Sequence, residues 1–108
     1  MIGSHLTGWR PNPNVYASAP SLSHSWSEFA PIVTASPDTY GSQSSMLLAV
    51  SGSKTTSVIF TGDMWEPKSL WDSCYLWMPV TIGDGKMLLP APSPWTIDIK
   101  TGLTVRGF

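Results

Sequence analysis

Few residues in this chain are suited to chemistry, and most of them crowd into one stretch. Residues 62–72 carry three carboxylates, Asp63, Glu66 and Asp72, beside Trp65 and Trp71. Paired acids next to tryptophan suit general acid–base work on a sugar, whose apolar face stacks on an indole. The competing reading is turn chemistry, because Asp63 follows Gly62 and Glu66 precedes Pro67. Gly, Asp and Pro are turn residues for backbone reasons alone, so that reading is preferred. His5 and His24 have no third partner near them in sequence, and no metal site is expected. No loop offers enough oxygens for calcium either. Cys74 is the single cysteine, which excludes an internal disulfide, and it is expected to be a small buried apolar residue.

Composition excludes some partners. A formal net charge of -1 gives no electrostatic support for nucleic acid. Charged residues make up only 12% of the chain, about half the usual share. The six tryptophans, Trp9, Trp26, Trp65, Trp71, Trp77 and Trp95, are the strongest compositional signal. No apolar run approaches the roughly 18 residues that span a bilayer, so no membrane partner is expected. The opening MIGSHLTGW lacks the basic and apolar regions of a signal peptide.

The elements that must position these residues read as strands. Pro, Gly and Ser are spread throughout, so long helices are not expected. Residues 21–29 suit one helical turn at most. Residues 4–7 read as a strand end, and 14–19 as a short strand. Two apolar runs, 45–50 and 56–61, flank a turn at 51–54 and form a hairpin. A further strand is expected at 74–82, where Pro79 argues for an edge or a bulge. Asp84-Gly85 then turns the chain into a returning strand at 86–89. A last strand is expected at 95–99. Four short antiparallel strands between residues 45 and 89 would make one up-and-down sheet, the shape of a propeller blade. Residues 5–29 would be the outer half of another.

Several longer phrases carry a resemblance. They are SHLTGWRPNPNVYASA at 4–19, WSEFAPIV at 26–33, TYGSQSS at 39–45, VIFTGDMWEPKSLWDSCYLWMPVTI at 58–82 and WTIDIKTG at 95–102. In this order they resemble the C-terminal part of the catalytic domain of glycoside hydrolase family 43, in its exo-β-1,3-galactanase branch. The resemblance implies an all-β fold, part of a five-bladed β-propeller. Residues 1–38 would end one blade, 39–90 form the last blade, and 91–108 close the domain. It implies an extracellular, inverting enzyme that releases galactose from β-1,3-galactan and needs no cofactor. The general acid and the first three blades would lie N-terminal to this chain, which would be inactive alone. Those blades would be a partner, with the polysaccharide bound by the full domain. The alternative is a small Trp-rich carbohydrate-binding or interaction module without catalysis.

The resemblance also assigns residues. Gln43 matches the position that addresses the hydrolytic water; read from spacing alone, it is a glutamine that satisfies backbone groups at a strand entry. An amide does not readily accept a proton, so it would orient water or act through a rarer tautomer. Thr7 and Trp9 match a segment lining the sugar pocket, the alternative being a capping threonine and a core tryptophan, and Tyr40 is a further pocket candidate from the loop of Gln43. Two departures stand out: the family reads GDRW and DSRY where this chain has Met64 and Cys74 in place of the arginines.

Overall fold

The computed structural model describes residues 1–8 and 10–107, and within them it is all-β with antiparallel sheets. Three short strands, β1 (Ile2–Gly3), β2 (Val15–Tyr16) and β3 (Ala30–Pro31), form a first sheet in that order. The second sheet is built from β4 (Gln43–Ser51), β5 (Thr56–Met64) and β6 (Cys74–Pro79). Two hairpins follow, β7 (Thr81–Gly83) with β8 (Lys86–Leu88) and β9 (Trp95–Asp98) with β10 (Leu103–Arg106). The strand expected at 4–7 lies instead at Ile2–Gly3, and β3 and β10 went unread in the sequence.

The stretch expected to form one four-stranded sheet divides at Pro79. Proline has no N–H to extend the ladder. The Val80 amide still reaches the Val58 carbonyl at 2.9 Å, and the chain then leaves the sheet. The returning strand joins the first layer instead, where the Leu89 amide donates to the Ile32 carbonyl at 2.8 Å. This places Met87 and Leu89 in one core with Tyr16, Ile32, Val33, Phe60, Leu76 and Met78. Asp84 and Gly85 both have positive φ (51° and 73°), as a tight two-residue hairpin turn requires.

β6 is an edge strand, and the chain covers that edge with side chains. The Trp95 indole donates to the Trp77 carbonyl at 2.7 Å, and the Arg106 guanidinium donates to the Pro79 carbonyl. The β9–β10 hairpin is also locked at its tip. The Ser53 amide donates to the Lys100 carbonyl at 2.8 Å, and the Lys54 and Thr55 amides donate to the Thr101 carbonyl at 3.1 Å. A Cβ on Gly52 would lie 2.1 Å from the Gly102 nitrogen, so the two turns meet backbone to backbone. At that tip Asp98 accepts from the Lys100 amide at 2.9 Å. This bond, with one from Thr101, lowers its carboxyl pKa below the ordinary value. A depressed folded pKa stabilises the turn above the unfolded carboxylate range and is lost as pH falls through the lowered value.

One face of the second sheet is covered only in part, with Ile59 and Thr61 buried and their outer neighbours exposed. Directly opposed residues share a face, so the register sets Met46, Thr61 and Trp77 in one row, with Leu48, Ile59 and Pro79 in the next. Phe60, Leu76 and Met78 point the other way, into the core. Met46 is 51% exposed, Tyr75 72% and Trp77 52%. The radius of gyration is 14.6 Å, against about 13 Å for a compact chain of this length.

Gly102 has φ +79°, and a Cβ there would sit 2.1 Å from the Thr55 carbonyl oxygen. Gly102→Ala is expected to destabilise the chain by about 2–4 kcal/mol through this clash and the positive φ. Gly83→Ala, which meets nothing within 4 Å, is expected to change stability by less than about 0.5 kcal/mol. Urea midpoints of the two variants, compared with the parent, check both.

Candidate functional site: one end of the central sheet

Gln43 is the first residue of β4, opposite Asp63 on β5, which in turn lies opposite Tyr75 on β6. A bulge after Ser44 decides which way Gln43 points. In a regular strand Gln43 would share a face with Leu47, two pleats on. The register instead pairs Gln43 with Asp63 and Leu47 with Phe60. Residues 63 and 60 lie on opposite faces, so the extra residue turns Gln43 away from the core side. The bulged Ser45 spends its hydroxyl on the Thr61 carbonyl at 3.0 Å.

The backbone just before Gln43 is strained. Thr39, Tyr40 and Gly41 all have positive φ (54°, 56° and 75°). For a β-branched threonine this is a genuine outlier, costing on the order of 1–3 kcal/mol. Side chains offset it. The Thr39 hydroxyl donates to the Asn12 carbonyl and accepts from the Asn14 amide, both at 2.8 Å. The Ser42 hydroxyl donates to the Thr39 carbonyl at 2.7 Å. Asn14, 1% exposed, ties this turn to the sheet: its Oδ1 accepts from the Ser44 amide at 2.8 Å. Its Nδ2 donates to the Asn12 carbonyl at 3.1 Å.

A second loop meets Gln43 from the first layer. Asn12 clasps the His5 backbone on both sides, accepting from its amide at 3.1 Å and donating to its carbonyl at 3.0 Å. Asn12 also donates to the Thr7 hydroxyl, which donates to the Arg10 carbonyl, both at 2.7 Å. The Gln43 Nε2 donates to the carbonyls of Gly8 (3.1 Å) and Arg10 (2.9 Å). Two carbonyl acceptors fix which end of the amide is nitrogen. Oε1 is the end left for other partners.

Beside Gln43 opens a pocket of about 220 Å³, lined by Gln43, Asp63, Trp65, Ser73, Cys74 and Tyr75. Of the expected site residues, only Gln43 lines it. Thr7 reaches Gln43 through the loop backbone. Tyr40 packs against the core. Trp9 lies outside the described residues. Asp63, read from sequence as turn chemistry, is instead a strand residue in the pocket. Glu66 and Asp72 do sit in turns. Cys74, expected to be buried, is exposed, because it begins an edge strand at the open end of the sheet. Its thiol contacts the Met64 thioether at 4.0 Å, and the two are cross-strand partners. The two departures from the family pattern therefore lie side by side across the β5–β6 pair. His24 bonds Ser21 at 2.6 Å in a surface turn. The missed residues Asn12 and Asn14 had a signal, the Pro-Asn-Pro-Asn run at 11–14, where the prolines lack the N–H that a regular ladder would use.

Asn14→Ala leaves the Ser44 amide without its partner and the Asn12 carbonyl with Thr39 alone. It is expected to cost about 2–4 kcal/mol, at the upper end for one buried polar side chain. Asn14→Asp, which buries a carboxylate with one oxygen against the Asn12 carbonyl, is expected to cost at least as much. Denaturant titration of both variants checks the order.

The fold matches solved enzymes. An exo-β-1,3-galactanase from Phanerochaete chrysosporium, solved with galactose, superposes with a TM-score of 0.84 at 33% identity, over 99% of this chain and 24% of that one. A variant of it solved with β-1,3-galactotriose gives the same TM-score, 0.84. An exo-β-1,3-galactanase from Clostridium thermocellum gives 0.79 at 32% identity, over 95% of this chain and 23% of its own. A family 43 β-1,3-galactosidase holding galactodeoxynojirimycin gives 0.69 at 36% identity, over 82% and 26%. This chain thus spans about a quarter of the length of these enzymes. No family model and no curated protein matches it. With identity above 30% over most of the chain, on a shared fold and with the motif order intact, the chain belongs to glycoside hydrolase family 43, on its exo-β-1,3-galactanase side.

Proposed function

We propose that this chain is the C-terminal part of a secreted, inverting exo-β-1,3-galactanase, comprising the last one and a half to two blades of a five-bladed propeller. In this reading residues 1–38 end one blade, 39–90 form the last, and 91–108 close the domain. Gln43 addresses the hydrolytic water from one end of the last blade's first strand. Thr7 acts through the loop that holds Gln43, with Trp9 and Tyr40 as the further pocket positions. The remainder of the domain supplies the general acid on the opposite face of the sugar. Inversion needs the two groups about 6.5–9.5 Å apart, with water between.

The single observation that carries the reading is the aim of Gln43. A bulge, a strained turn and a bound loop all act to present one amide oxygen at the open end of a sheet. The partly covered face bearing Met46, Tyr75 and Trp77 supports the second part of the reading, because an apolar sheet face calls for a packing partner. The missing blades are the partner of that kind.

A specific observation favours a second reading. Tyr75 and Trp77 lie 6.4 Å apart on an exposed strand, as in a stacking platform for sugars without catalysis.

Galactose release from β-1,3-galactan separates them. The chain alone is expected to release none. Mixed with a three-blade N-terminal segment from one of the matched galactanases, it is expected to become active. Gln43→Ala should then cut kcat by at least about 10²-fold, the scale of removing one group that positions water. Activity of the chain alone, or activity on mixing that survives Gln43→Ala, contradicts the proposal. Quenching of Trp fluorescence by galactan in the chain alone, with no activity on mixing, supports the second reading instead.

A further inference from the structure

We infer, on the galactanase reading for the identity of its ligand, that Trp71 is a stacking platform for the part of a β-1,3-galactan chain that follows the terminal sugar.

The loop between β5 and β6, residues 65–73, forms one wall of the pocket. Trp65 begins it and Ser73 ends it, and both line the cavity. Trp71 is two residues from Ser73, so their Cα atoms are at most about 7 Å apart. The loop is braced from inside. The Glu66 amide donates to the Ser73 hydroxyl at 2.9 Å, joining the two ends. The Lys68 amide donates to the Glu66 carboxylate at 3.2 Å, and the Ser69 amide donates to the Glu66 carbonyl at 3.2 Å. The Asp72 amide donates to the Ser69 carbonyl at 2.9 Å. The Ser73 amide donates to the Leu70 carbonyl at 3.2 Å, closing a short 3₁₀ turn over Leu70–Asp72. Pro67 fixes one further backbone angle.

This bracing holds an indole out in water. Trp71 is 98% exposed, against 37% for Trp65 and 52% for Trp77, and Leu70 beside it is 64% exposed. The bonds that shape the turn come from backbone, Ser73 and Glu66, so none of them calls for an indole at position 71. A tryptophan buries about 150–250 Å² when it is covered. On an ordered loop, stacking costs little further conformational freedom. The ligand that suits it has an apolar face and a polar rim. Glu66, Lys68 and Asp72, exposed on the same loop, suit the hydroxyls of that rim. A galactose ring has this form. With the terminal sugar in the pocket, the indole beside the pocket wall meets the sugars that follow. Trp71 stands on a loop beyond the end of the sheet, whereas Tyr75 and Trp77 belong to β6 itself.

Affinity electrophoresis of the 108-residue chain, through gels containing soluble β-1,3-galactan, reads the platform without hydrolysis. The parent chain is expected to be retarded. Trp71→Ala should weaken that binding about three- to tenfold, the scale of one aromatic contact. Trp71→Phe should restore part of it, and Trp77→Ala should leave it unchanged. The urea midpoint of Trp71→Ala should match the parent's, because an almost fully exposed side chain adds little to folding. When the chain is mixed with the three-blade segment, Trp71→Ala should raise KM for the polymer by the same factor and leave kcat unchanged. An unretarded parent chain, retardation that survives Trp71→Ala, or a loss in kcat instead of KM would overturn the inference. The last would mean that Trp71 packs against another part of the domain. Hydrolysis on mixing, with retardation independent of Trp71, would sink the platform and keep the galactanase reading. Retardation lost in Trp71→Ala, with no hydrolysis on mixing, would do the opposite.

Discussion

The buried side chain of Asn14 is the interaction on which the site depends. It joins the loop at Asn12 to the start of β4 at Ser44, and the backbone amide of the same residue adds the left-handed turn at Thr39. Each piece alone is unfavourable. The loop carries two prolines, the turn places a β-branched residue at positive φ, and the strand begins on a bulge. Buried polar groups need partners, and here each supplies another's. No buried side-chain nitrogen or oxygen among the described residues lacks one. The result is a rigid frame at one end of an otherwise ordinary antiparallel sheet.

Rigidity there and incompleteness elsewhere suit a part of a larger site. The core is small and lies between the two layers, while the far face of the second sheet shows tryptophan and tyrosine to solvent. The covered edge of β6 contrasts with that face. Trp95 and Arg106 donate to the Trp77 and Pro79 carbonyls of the edge strand, while Met46, Tyr75 and Trp77 on the face stay exposed. Orientation of Gln43 needs nothing beyond this chain. Catalysis by the proposed route needs an acid and a sugar-binding surface on the other side.

Much of the fold was legible because its signals are local. The hairpin turn at Asp84-Gly85, the β-branched run at 56–61 and the proline break at 79 each act within a few residues. What escaped notice was non-local. The short strands β3 and β10 have no strong alternation of their own. Asp63 was read as a turn residue from its glycine neighbour, but pairing with Gln43 and Tyr75 extends the strand through it. Cys74 looked buried by residue type, and only its place at an open strand end exposes it. Gln43 was found by resemblance to a family motif. Its aim depends on a one-residue bulge and on Asn12 and Asn14, roughly 30 residues earlier in the chain, which no local pattern reveals.

The most direct test of the account is a high-resolution structure of the proposed full domain, this chain joined to the three-blade N-terminal segment of a matched galactanase, holding β-1,3-galactotriose. The account predicts an ordered water within about 2.6–3.2 Å of the Gln43 Oε1, on the reacting side of the terminal sugar. The Gln43 Nε2 should remain on the Gly8 and Arg10 carbonyls. A sugar seated on Tyr75 and Trp77 with Gln43 remote from it would contradict the account, as would a Gln43 that has left those carbonyls.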